Sequence, residues 1–180
     1  MNEAIYIDQD PRYVTRECVK IPVTFKNCGD LNAGTIIGIN ATGYGSKVKR
    51  AALTADAAAN ATQIVVDSIP FNIGDSVYII KADGSAVENL GAITGIDATT
   101  KTIKVTTGLT AAHATGSFLF VKDGSEKAVG VLSEPIVDNG TEIQANVYIE
   151  GIFDTDRISG IDSISLKDLN ARVVNNILIV

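Results

Sequence analysis

Residues 128–153 read AVGVLSEPIVDNGTEIQANVYIEGIF, two apolar runs on either side of a turn. In the second run Ile143, Ala145, Val147 and Ile149 alternate with Glu142, Gln144, Asn146, Tyr148 and Glu150. That period of two predicts a half-buried antiparallel strand with one face on a core. Asp138-Asn139-Gly140 supplies a turn suited to positive φ. No nucleophile and base are paired anywhere in the stretch, so its regularity speaks of scaffold rather than of catalysis.

Working outward, the chain keeps the same β character. CVKIPVTF (18–25) sets Val19, Ile21 and Val23 on one face against Cys18, Lys20, Pro22 and Thr24, and Pro22 argues for an edge strand. TIIGINATG (35–43) predicts a second strand. GYGSKVKR (43–50) reads as a flexible basic hinge; it lacks the glycine spacing and following helix that a phosphate loop needs. From 51 to 121, ATQIVVDS, SVYIIK, LGAITGID, KTIKVTT and SFLFVK are short strands at close spacing, which predicts a small barrel. In FNIGDSVYII, Gly74 permits a tight turn, Asp75 can bond its backbone, and Val77 and Ile79 face inward. AALTADAAAN (51–60) reads as a short helix or an irregular connection. KDGSEK (122–127) is a hydrophilic connection on the far side of this unit. The expected organisation is therefore an arm over 1–17, a core made of 18–50 plus 122–180, and an inserted β domain over 51–121.

Near the C-terminus, Leu166, Leu169 and Val173 fall at helical spacing, and Ser165 with Asp168 looks like a capping box, so SLKDLNARVVN predicts the one short helix. ILIV then predicts a closing strand, paired in a sheet or buried between subunits. The fold class is mainly β.

Composition narrows the function. The 180 residues carry 15 Lys and Arg against 21 Asp and Glu, a net charge of −6. That balance argues against nucleic acid as a partner. The start has no basic and apolar segments of a secretory signal, and no apolar run has membrane-spanning length, so a soluble protein made in the cytoplasm, with no membrane partner, is expected. Cys18 and Cys28 read as two reduced thiols, with a bridge between them as the alternative. The single histidine, His113, has no partner nominated by the sequence and reads as a loop or barrel-rim residue. Asp154 and Asp156 lack the further oxygens of a calcium loop and read as turn acids. No metal, cofactor or catalytic residue is expected. Residues 1–17 are polar and irregular but hold Ile5, Tyr6, Ile7 and Tyr13; they read either as a frayed end or as an arm that orders on a partner.

With 51–121 set aside, AGTIIGINATGYG (33–45) comes beside KAVGVLSEPIVDNGTEIQANVYIEGIFDTDRI (127–158), followed by the helix and last strand. This arrangement resembles the head decoration proteins of tailed phages, the lambda-type capsid-stabilising family. The resemblance covers 18–50 and 122–180, about half the chain, on glycine and aliphatic patterns. It implies a cement protein on the outside of the virion head, commonly a homotrimer, bound to the major capsid protein. It further implies an N-terminal arm that adds backbone pairing to a capsid strand. On this reading the capsid-binding residues are Ile5, Tyr6, Ile7 and Tyr13 of the arm, then Ile21, Val23 and Phe25 of the edge strand. The inserted unit also looks like β modules of phage structural proteins, in which F-x-x-G-D-x-V-x-I recurs. The alternative is a carbohydrate- or host-surface-binding module that presents KADGSAVEN (81–89) and GLTAAHATG (108–116); a hydrolase using surface carboxylates is a third reading.

Overall fold

The structure, a computed structural model, describes residues 18–174 and 177–180. It is mainly β with one short helix, and it divides into two compact units, 1–48 with 127–180 and 49–126. Lys49, Arg50 and residues 122–126 thus belong with the second unit. The sequence reading had assigned them to the first.

In the first unit, β1 (Val19–Phe25), β2 (Ile36–Ile39), β3 (Gly45–Lys47), β10 (Ala128–Leu132) and β11 (Ile143–Glu150) form a closed barrel in the order β1-β11-β10-β2-β3. A single parallel pair, Phe25 with Gly45, closes it. Glycine is required there, because a Cβ at position 45 would lie 2.4 Å from the Phe25 ring. The segment expected to be a hinge therefore contains a barrel strand, and Gly45 lets its backbone pass over an aromatic ring.

Three of these strands are covered on both faces. Along β2, Ile37 joins the cluster of Val23, Phe25, Leu31, Leu132, Ile136, Ala145 and Val147, while its neighbour Ile36 joins Val48, Ala128, Val131, Tyr148, Phe153 and Ile158. Adjacent residues of a strand point to opposite faces, so Ile36/Ile37, Val131/Leu132 and Val147/Tyr148 each serve both clusters. Tyr148 was expected on the solvent face. It is 2% exposed and meets the Phe153 ring edge-on at 5.2 Å.

What covers the second face is the segment that follows β11, residues 152–180. β12 (Ile152–Asp154), β13 (Arg172–Val174) and β14 (Ile177–Ile179) make a three-stranded sheet in the order β12-β14-β13. The only α-helix among the described residues, α1 (Ser163–Asp168), packs Leu166 against this cluster, and Leu169, just past its end, packs there too. Its N-cap is Asp162, whose carboxylate accepts from the amides of Ile164 and Ser165 while the Ser165 hydroxyl accepts from the Asp162 amide. The capping box thus starts three residues earlier than Ser165/Asp168. Asn170 at φ 52° ends the helix, and Val173 lies on a strand, not on the helix.

In the second unit, β4 (Arg50–Ala52), β5 (Gln63–Val65), β6 (Ser76–Ile80), β7 (Glu88–Asp97), β8 (Thr102–Val105) and β9 (Phe118–Val121) form a six-stranded sheet in the order β4-β9-β6-β7-β8-β5. A bridge between Leu53 and Val66 brings its two outer strands together around a wholly apolar cluster that includes Leu53, Ile64, Val77, Ile79, Leu90, Ile103 and Leu119. Residues 51–60 hold no helix; Ala51 and Ala52 lie on β4. The FNIGD turn has Gly74 at φ 95° and the Asp75 carboxylate accepting from the Asn72 amide at 2.9 Å.

Two-sided burial leaves no room for a side chain where β10 crosses β11. A Cβ on Gly130 would lie 2.3 Å from the Tyr148 carbonyl oxygen and 2.6 Å from Val147 Cγ1. Gly130→Ala should cost about 1–3 kcal/mol, the usual range for overpacking. Gly95→Ala meets only the flexible Lys104 side chain at 3.4 Å and should unfold as wild type. Urea unfolding of the two variants measures the difference.

Candidate interaction surface

Side chains able to do chemistry are mostly engaged in holding loops. Asp138 accepts from the amides of Gly140 and Gly29, Asp97 from those of Thr100 and Thr99, and Asp56 from the amide and hydroxyl of Thr115. These donors stabilise the ionised form and hold each carboxyl below its usual range. Asp154 accepts from the Asp156 amide at 3.0 Å and lies 3.5 Å from Arg157 Nε, as a turn-capping acid does. Among the described residues no group of three or more His, Cys, Asp or Glu is placed to hold a metal, and no helix is long and apolar enough to cross a membrane.

The thiols of Cys18 and Cys28 are free. Burial pushes the Cys28 thiol up, the carboxylate of Asp138 adds to this, and that of Asp30 adds less. A thiol held protonated in this way is a weak nucleophile. His113 is 2% exposed, with Nε2 3.4 Å from Glu88 Oε2. Its backbone pairs with Ala57 of the same unit.

Strand β1 is where apolar side chains and backbone groups are left over. Its C-terminal half enters the barrel: Val23 is 6% exposed and Phe25 not at all. Both were expected to touch a partner. The barrel interior already occupies them, so they cannot do so while it is folded. The N-terminal half stays outside, with Lys20 and Pro22 exposed and Val19 and Ile21 at 42% and 36%. Of the edge-strand residues singled out by sequence, Ile21 alone is exposed. Ile5, Tyr6, Ile7 and Tyr13 lie outside the described residues.

The backbone of this half has one unpartnered side. Among the described residues β1 pairs with β11 along its length and with β3 only at Phe25. Asn146, opposite Pro22, has its carbonyl bonded to the Ser133 amide at 2.9 Å, so its polar groups point away from β1. Pro22 therefore sits in a non-hydrogen-bonded pair, where its missing N–H costs the β1–β11 ladder nothing. The Lys20 amide and the carbonyls of Lys20 and Pro22 then turn to the open edge. Lys20 Nζ rests 4.5 Å from the Tyr148 ring centroid, where the aromatic face attracts the cation.

At the other end of the strand, the Tyr44 hydroxyl donates to Glu142 Oε1 at 2.7 Å and Lys26 Nζ lies 3.5 Å from the same oxygen. This exposed network braces the Phe25–Gly45 closure. The hydrogen bond from Tyr44 first, then the Lys26 charge, hold the Glu142 carboxyl below its usual value.

Comparison with protein-family models, with curated proteins and with solved structures returned no match to this chain.

The division of β1 into an outer and an inner half can be measured. Phe25→Ala should destabilise the first unit by about 3–5 kcal/mol, as removal of a buried aromatic side chain does. Ile21→Thr should stay within about 0.5 kcal/mol of wild type, as exposed positions do. Equal losses in denaturant melts would contradict the division.

Proposed function

We propose that this chain is a capsid decoration protein that attaches to the outer surface of a phage head and cements its shell. The observation that carries the reading is the outer half of β1, which combines exposed Val19 and Ile21 with an open backbone edge. Such an edge suits strand addition by an extended segment of a partner, here the major capsid protein. Main-chain bonds to the Lys20 amide and carbonyl and to the Pro22 carbonyl would supply affinity. Apolar side chains beside Val19 and Ile21, and a carboxylate beside Lys20, would supply selectivity.

In the sequence Ile5, Tyr6, Ile7 and Tyr13 precede this strand, and on this reading they would add to the same contact. A homotrimer would bridge several shell subunits already held at fixed spacing, so that weak single contacts multiply.

The test is attachment to purified shells lacking the protein. Deletion of residues 1–16 should abolish binding, and Ile21→Asp should weaken it about tenfold or more, with circular dichroism unchanged in both. Undiminished binding by both variants would refute the assignment. Electron microscopy of the decorated shells should place the added density at three-fold positions.

One observation favours a carbohydrate- or host-surface-binding role for the second unit. Glu88, in the first of the two candidate loops, accepts from the Thr110 amide in the second and contacts His113 there, which joins the loops into one surface. Binding of the full chain on a glycan array, lost when residues 82–87 are replaced by Gly and Ser, is the expected result of that role.

A further inference from the structure

Asn139 is the only asparagine in the chain that is followed by glycine, and both residues are exposed in the turn between β10 and β11. The Gly140 nitrogen and the Asn139 side-chain carbon Cγ are close in the covalent chain, so a bond between them closes a five-membered ring. Gly140 holds φ 77°, and with no Cβ it leaves its nitrogen unshielded.

The turn supplies both reacting atoms with the groups that such a closure requires. The Gly140 N–H donates to Asp138 Oδ1 at 2.9 Å, so a carboxylate is already in place for the proton that the nitrogen has to give up. Asn139 Oδ1 accepts from the Thr141 amide at 3.0 Å and from the Thr141 hydroxyl at 2.6 Å. These are two donors on the oxygen where negative charge develops when Cγ is attacked. Asp138 is itself fixed from the other side: its Oδ2 accepts from the Gly29 amide at 2.7 Å, and its amide donates to Asp30 Oδ1 at 2.9 Å. The hydrogen bonds from Gly140 and Gly29 hold its carboxyl below the usual range, which keeps it in the ionised form that can accept a proton.

We propose that Asn139 is a self-modification site, at which the folded turn drives cyclisation of the asparagine and its hydrolysis to aspartate and isoaspartate. The inference is independent of the capsid-decoration reading.

The steps balance with water as the only co-reactant. The Gly140 nitrogen attacks Asn139 Cγ while its proton passes to the Asp138 carboxylate, and the carbonyl electron pair moves on to Oδ1 beside the Thr141 donors. When that pair returns, the Cγ–Nδ2 bond breaks, and Nδ2 leaves as ammonia with the proton that Asp138 held. Water then opens the succinimide. Attack at the side-chain carbonyl gives aspartate, and attack at the main-chain carbonyl gives isoaspartate. Either product adds a negative charge beside Asp138 and Asp30, and isoaspartate also lengthens the main chain of the turn by one methylene.

A second turn shows why the amide matters. At Asp123-Gly124-Ser125, Asp123 Oδ1 accepts from the Ser125 amide and hydroxyl, and the Gly124 amide donates to Glu126 Oε2. The bonds match those around Asn139, but the group under attack is a carboxylate, which repels a nucleophile and has no amine to release.

The test compares the full chain, folded at pH 7, with the peptide EPIVDNGTEI (134–143), which carries the same residues without the fold. Peptide mapping by mass spectrometry, with fragmentation that separates isoaspartate from aspartate, follows loss of the Asn139 amide. The folded chain should convert about tenfold or more faster than the peptide, a modest share of what a positioned base and oxyanion donors supply in enzymes. Asp138→Asn keeps acceptors for the Gly140 and Gly29 amides but cannot take up the proton, and Thr141→Val removes one of the two donors on Oδ1. Each should slow conversion by about tenfold. Conversion of the folded chain no faster than that of the peptide would overturn the proposal, as would unchanged rates in both variants, and the first comparison needs neither variant to fold.

Discussion

Two-sided burial of β2, β10 and β11 is the constraint on which the first unit depends. Each strand holds a pair of adjacent apolar residues, Ile36/Ile37, Val131/Leu132 and Val147/Tyr148, split between two clusters. A barrel with only its interior filled would leave Ile36, Val131 and Tyr148 in water. The chain covers them with the segment that follows β11, so α1 and the three-stranded sheet are required by the barrel's outer surface. The price is crowding, and Gly130 is where it is met.

The second unit needs far less from its surroundings. Its apolar cluster is closed by its own strands, and the chain enters and leaves at neighbouring points: the Lys49 carbonyl accepts from the Val121 amide at 3.3 Å, and the Arg50 guanidinium donates to the Glu126 carbonyl. An element whose ends meet can be placed in a loop of another fold with little disturbance to either. The unit runs from Lys49 to Glu126, a few residues beyond the cut near 50 and 122 that the hydrophilic composition of GYGSKVKR and KDGSEK suggests.

Legibility followed the reach of each cause. Period-two alternation and turn residues are local, so β1, β6, β8, β10 and β11 could be found from sequence, and Gly74 with Asp75 adopts the turn expected of it. Burial of Tyr148 depends on Phe153 and on chain beyond it, and nothing within the strand signals it. The strand Gly45–Lys47 was hidden because its glycine answers to the Phe25 ring, twenty residues away in sequence. Helix α1 was placed late because Leu166, Leu169 and Val173 share a helical spacing by coincidence; Asn170 ends the helix before Val173. The surface on β1 was half legible. Alternation grouped Ile21 with Val23, but where a strand leaves the barrel is set by its partners' lengths, which the alternation does not encode.

An open edge with apolar neighbours is a hazard for any β protein, and the details of β1 show how this one is managed. Pro22 removes one outward donor from the middle of the edge, and Lys20 adds a charge beside it, two devices that discourage pairing with unrelated strands. Neither closes the edge, because the Lys20 amide and both carbonyls stay available. Suppressing an edge altogether would take a shorter strand or a covering loop, and β1 has neither among the described residues. The edge is thus guarded yet kept open over the four residues Val19–Pro22, although Val19 and Ile21, at 42% and 36% exposed, contribute little burial to the barrel they flank.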